Sequence, residues 1–128
     1  MSHDALIEHC TELLAGLGRV RTRRMFGGHG FYVDDIFVAL IAFDQFFVKT
    51  DATTRPRFVS AGCRPFVFES AGKPPTTTSY FTVPAEAMES PALMLPWARL
   101  AMQAAIATRA AKKPLKPRRA RRASAGAG

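Results

Sequence analysis

The stretch Phe31-Tyr32-Val33-Asp34-Asp35-Ile36-Phe37-Val38-Ala39-Leu40-Ile41-Ala42-Phe43-Asp44-Gln45-Phe46-Phe47-Val48 decides the fold. Aromatic and β-branched residues dominate it, the side chains that suit a pleated, half-buried surface. Two polar pairs, Asp34-Asp35 and Asp44-Gln45, divide it, and a two-residue polar break between strand-like runs signals a hairpin. The pattern predicts three antiparallel strands, over residues 23–33, 36–43 and 46–50. Gly27, Gly28 and Gly30 fall inside the first, where glycines favour a bulge or bend.

On the N-terminal side, Leu6, Cys10, Leu13 and Leu17 recur at helical spacing, with Ile7 and Leu14 widening the stripe. Ser2 and Asp4 suit the start of that helix, and Gly16 and Gly18 its end. On the C-terminal side, Asp51 can cap a short helix over residues 53–61. Residues 66–69 and 80–83 read as two more strands, joined by a loop rich in Gly, Pro and Thr over 70–79. Ser90-Pro91 is a helix start, and Leu93, Trp97, Leu100, Ala101 and Ala104 give the last helix its apolar face. Pro96 interrupts that helix early, and Pro114 must end it. The order α-β-β-β-α-β-β-α predicts an α+β domain with a single antiparallel sheet and helices packed on one face. Met25, Phe26, Phe37, Leu40, Trp97 and Leu100 are the expected contacts between sheet and last helix.

The 128 residues suffice for one domain, and a hydrophobic content of 48% gives it a core. The net charge of +8 is not spread evenly. Residues 1–108 hold ten Lys and Arg against ten Asp and Glu, whereas residues 109–128 hold eight basic groups and no acid. The expected organisation is a neutral domain over residues 1–110 and a disordered basic tail over 111–128. The longest apolar run, residues 36–43, is too short for a spanning helix, which needs about 20 residues. Asp4, Glu8 and Glu12 precede the first arginine, so no secretory leader is expected. Cys10 and Cys63 form no CxxC motif and read as reduced cytosolic thiols acting as small core hydrophobes.

Chemistry-bearing motifs are thin. Gly27-Gly28-His29-Gly30 has strand-like residues on both sides, where a phosphate loop needs a helix to follow. His3, His9, Cys10, His29 and Cys63 show no metal-ligand spacing, and no serine sits in a GxSxG elbow. No catalytic residue, metal or cofactor is therefore expected. Arg19, Arg21 and Arg23 of an extended segment would line one face about 6.7 Å apart. With Arg24 they form a candidate anion or partner surface, although charge on an edge strand also deters aggregation. In the tail, Lys112, Lys113, Lys116, Arg118, Arg119, Arg121 and Arg122 come without stacking aromatics. That composition fits contact with phosphate backbones rather than base readout, or a merely solubilising role.

Residues Arg24-Met25-Phe26-Gly27-Gly28-His29-Gly30-Phe31-Tyr32, followed by Phe46-Phe47-Val48-Lys49-Thr50-Asp51, resemble the N-terminal domain of TfoX/Sxy competence regulators. Gly62 with Pro65-Phe66, Ser79-Tyr80-Phe81 with Val83-Pro84, and Trp97-Ala98 extend the resemblance over about residues 6–110. It implies a secretion-chaperone-like α+β domain in bacterial cytoplasm, and the basic tail extends the expected location to the nucleoid. It also implies a part in transcriptional co-activation beside the cAMP receptor protein, and brings no catalytic residues. Full-length members carry a second, helical domain; here the basic tail follows the last helix instead. The expectation is a non-enzymatic regulatory adaptor that binds a protein partner or a second copy, with nucleic acid held non-specifically by the tail. One alternative is a protein or enzyme for a small anionic ligand, using Arg21, Arg23, Arg24 and His29. A deep pocket lined by those four would favour it. Another is a plain interaction domain.

Overall fold

The computed structural model describes residues 3–25 and 27–112. Helix α1 spans His3–Leu14 and turns Cys10, Leu13 and Leu14 inward before a 3-10 turn, Ala15–Leu17. Strands β1 (Val20–Met25), β2 (Gly28–Val33), β3 (Ile36–Ala42) and β4 (Gln45–Lys49) follow as a meander. Helix α2 (Arg55–Ser60) leads to β5 (Pro65–Phe68) and β6 (Thr76–Phe81). A second 3-10 turn, Ala85–Glu89, precedes α3 (Pro91–Lys112). The strands form one six-stranded sheet, in the order β1-β2-β3-β4-β6-β5, with every pairing antiparallel. The α+β class with a single antiparallel sheet is the one the sequence implies.

Strand boundaries depart from the sequence reading in informative ways. Residues 23–33 are not one kinked strand but a hairpin, in which Met25 pairs with Gly28 and the arms run back to Val20 and Val33. Four strands, not three, therefore precede α2. Gly27 makes the reversal with a φ of 77°, a left-handed conformation that costs glycine nothing. The next hairpin turns on Asp34 and Asp35, as read, with φ of 50° and 67°. The third turns on Phe43 and Asp44, at 53° and 59°, one residue earlier than the polar pair implied. Consecutive left-handed residues match the right-handed twist of the flanking strands. Thr76, Thr77 and Thr78, assigned to a loop by their neighbours, open β6 instead. Asp51 Oδ1 accepts the N–H groups of Thr53 and Thr54 at 3.0 and 2.9 Å, so it caps the turn leading into α2.

The core lies between the sheet and the helices. Phe31, Val33, Ile41, Phe46 and Val48 from the sheet meet Cys10, Leu13 and Leu14 of α1, Phe58 of α2 and Met94 of α3. Ala98, Ala101 and Ala105 are also buried, and such small side chains let α3 lie close over the strands. Ser90 Oγ accepts the Leu93 N–H at 3.2 Å and starts that helix, which runs on through Pro96. Between the pairs Phe31–Ala39 and Tyr32–Phe37, β3 carries one extra residue, Val38. This bulge buries Val38 and Ala39 together and leaves Phe37 and Leu40 on the opposite face. The expected core set is corrected accordingly. Met25, Phe37 and Leu40 are half-buried on the sheet face opposite the core, whereas Trp97 and Leu100 pack at the core's margin. Phe26 lies outside the described residues.

Candidate binding groove on the open sheet face

Alternation along the strands puts Met25, Gly30, Leu40, Phe47, Phe66, Phe68 and Tyr80 on the face away from the core. Among the described residues no helix lies across this face. Met25 of β1 and Phe66 and Phe68 of β5 nevertheless line one cavity of about 540 Å³. These are the two edge strands of the sheet. For both to border one cavity the sheet must curl, so the open face is concave.

Leu40 and Ala42 of β3 lie between the two edges, and His29, Thr76, Thr78 and Tyr80 are the lining residues with polar side chains. The Phe66 ring packs at a tilt against Phe47, with centroids 5.0 Å apart, and against Phe43, with centroids 6.2 Å apart. Phe43 is 88% exposed, and Phe68 is 52% exposed. The glycines of the Met-Phe-Gly-Gly-x-Gly run set the shape of the wall. A Cβ at Gly28 would strike the carbonyl oxygen of Ile41. One at Gly30 would lie 2.5 Å from the Phe37 ring and 2.8 Å from the Met25 methyl.

The four arginines singled out from sequence are all exposed. Arg21 and Arg23 face the open side, paired with Tyr32 and Gly30, on edge strand β1. The Arg21 guanidinium lies 4.7 Å over the Tyr32 ring and 3.2 Å from Asp35 Oδ1. Arg19 precedes β1, where its N–H donates to Asp34 Oδ1 at 3.0 Å. Arg24 pairs with His29 on the helix side. His29 borders the groove, but none of the arginines does, so Arg21, Arg23, Arg24 and His29 share no pocket.

A contact the spacing did not reveal joins His3 of α1 to His29, with ring nitrogens 3.1 Å apart and His3 Nδ1 3.3 Å from Asp44 Oδ1. Partial desolvation, together with the nearby His3 and Arg24, holds His29 below the ordinary histidine pKa. Among the described residues no group of three His, Cys, Asp or Glu is arranged to hold a metal ion. Burial pushes the Cys10 thiol up to about 12, and raises that of half-buried Cys63 as well. No helix among the described residues is long and apolar enough to cross a membrane. Lys112 is the last residue of α3. Lys113, Lys116, Arg118, Arg119, Arg121 and Arg122 lie outside the described residues.

Phe43, Phe66 and Phe68 escaped the sequence reading as site residues. The signal was present in β3, whose apolar residues at both parities leave few polar side chains for a solvated face.

The class is thus a two-layer α+β domain with helices on one side of its sheet and a concave apolar face on the other. The sequence profile of the TfoX N-terminal domain matches residues 12–105, and the chain belongs to that family. No curated protein matches it.

Proposed function

We propose that this protein is a non-enzymatic regulatory adaptor of the competence-regulator kind, acting in the cytoplasm. Its concave face takes apolar side chains of a partner protein, while the basic tail adds non-specific affinity for nucleic acid. The observation that carries this reading is Phe43. A bulky residue in left-handed backbone, 88% exposed at the rim of an apolar cavity, spends both conformational and hydration free energy. A partner that covers the ring recovers the second of these, roughly 1.5–3 kcal/mol for a phenylalanine side chain taken fully out of water. Aromatic residues clustered in a concavity are also the usual anchors of protein interfaces.

The test is capture of partners from cell extract by the full chain, with nuclease added. The expected result is a protein retained by the parent, but lost by Phe43→Ser and Phe68→Ser variants of unchanged thermal midpoint. Retention by both variants would remove the groove from the interaction. Sedimentation of the purified chain checks the remaining occupant. A dimer dissociated by Phe43→Ser would make the partner a second copy.

A further inference from the structure

A second concavity, of about 300 Å³, lies where the ends of the strands meet the last turns of α3. Its chemistry differs from that of the apolar groove. Tyr32, Phe37 and Tyr80 form a row of rings, with centroids 5.2 and 5.8 Å apart. Cations stand around that row. Lys49 Nζ lies 5.1 Å over the Tyr80 ring and donates to Ser79 Oγ at 2.9 Å, and Arg21 covers Tyr32. Arg109 of α3 borders the pocket from the far side. The one carboxylate in its lining, Asp35, is already engaged by Arg21. The pocket therefore pairs π-faces with a surplus of positive charge, and Arg109 offsets the negative end of the α3 dipole. Beyond Arg109 the sequence runs directly into Lys112, Lys113, Lys116 and the arginines that follow.

We propose that this pocket binds single-stranded nucleic acid, its bases stacking on Tyr32, Phe37 and Tyr80 while Lys49 and Arg109 hold the adjoining phosphates. Stacking on rings beside a basic track is how single strands are gripped without reading their sequence. The proposal deepens the nucleic-acid half of the proposed function and rests on it. There the tail alone supplies charge and makes no distinction between strand and duplex. The rings supply that distinction, because paired bases cannot reach them.

The experiment measures fluorescence anisotropy of a short labelled oligothymidylate, and of a duplex of equal length, with the full chain. The parent should prefer the single strand. Tyr32→Leu and Tyr80→Leu, which keep most of the side-chain volume, should weaken strand binding by about five- to tenfold and leave duplex binding unchanged. Arg109→Gln, on an exposed helix surface, should flatten the log–log salt dependence of strand binding by about 0.7 without affecting folding. Changing Lys113, Lys116, Arg118, Arg119, Arg121 and Arg122 to Gln should weaken both ligands but preserve the preference. If that variant binds as the parent does, the tail reading fails and the pocket stands. Unchanged strand binding in Tyr32→Leu, Tyr80→Leu and Arg109→Gln would overturn the pocket. So would thymidine monophosphate displacing the strand at the strand's own concentration, since the site would then take a nucleotide.

Discussion

Three glycines within four residues do different work in the β1–β2 hairpin. Gly27 takes the left-handed turn, whereas Gly28 and Gly30 make room for neighbours. The neighbours differ in how far they can yield. A methyl at Gly28 meets the backbone oxygen of Ile41, which is held in the β2–β3 ladder, so Gly28→Ala must separate the two strands. A methyl at Gly30 meets the Phe37 ring and the end of Met25, side-chain atoms that can shift where a backbone carbonyl cannot. Gly30→Ala should therefore cost about 1–3 kcal/mol, and Gly28→Ala distinctly more, as read from urea unfolding. Equal costs would show that β3 gives way as easily as a side chain. The motif was visible in the sequence, but its hairpin was not. Flanking residues of strand character made a bent single strand equally consistent with the pattern, and the choice depends on Met25 meeting Gly28.

At the scale of elements, α2 is only six residues long and buries one side chain. Phe58 is fully buried, 5.1 Å from the Trp97 ring and 6.2 Å from Phe81. Phe58→Ala should cost about 3–5 kcal/mol, and Trp97→Ala less because its ring is only half-buried. The reverse order in thermal or urea midpoints would place the anchor in α3 instead. The start of α1 is tied to the sheet through His3 and His29. Because His29 titrates below its ordinary value, the unfolded chain takes up that proton first as pH falls. Its contribution is thus intact above about pH 6.5 and shrinks below it. Between pH 7.5 and 5.5 the thermal midpoint of His29→Asn should fall less than the parent's, and equal falls would clear His29 of any part. Helix faces and the Asp34-Asp35 turn could be read directly, since their periodicities are local. The face of β3 could not. Val38 adds one residue to that strand and reverses the alternation midway, which no pattern of uniformly apolar residues records.

For the whole molecule, one feature depends on distant parts of the chain meeting. The groove needs β1 and β5, the two edges of the sheet, to curl toward each other, and only the assembled strand order places Phe68 near Met25. That is why its lining stayed hidden while its raw material, aromatics at both parities, did not. Charge, by contrast, is segregated along the sequence and needed no fold to be read. The ten basic and ten acidic groups of residues 1–108 cancel, so the domain alone has no net attraction for a polyanion. On the proposed reading, the six basic groups beyond Lys112 should dominate binding to duplex DNA. Each phosphate neutralised contributes about −0.9 to the log–log dependence of affinity on salt, so four to six contacts give a slope near −4 to −5. Replacing those six with Gln should remove most duplex binding and most of the slope with it. The thermal midpoint should stay where it is, because the described residues already supply the core around Phe31 and Phe46. Duplex binding that survives the replacement with its slope intact would transfer the contact to the arginines of β1. Neutralising Arg19, Arg21, Arg23 and Arg24 together would then abolish it.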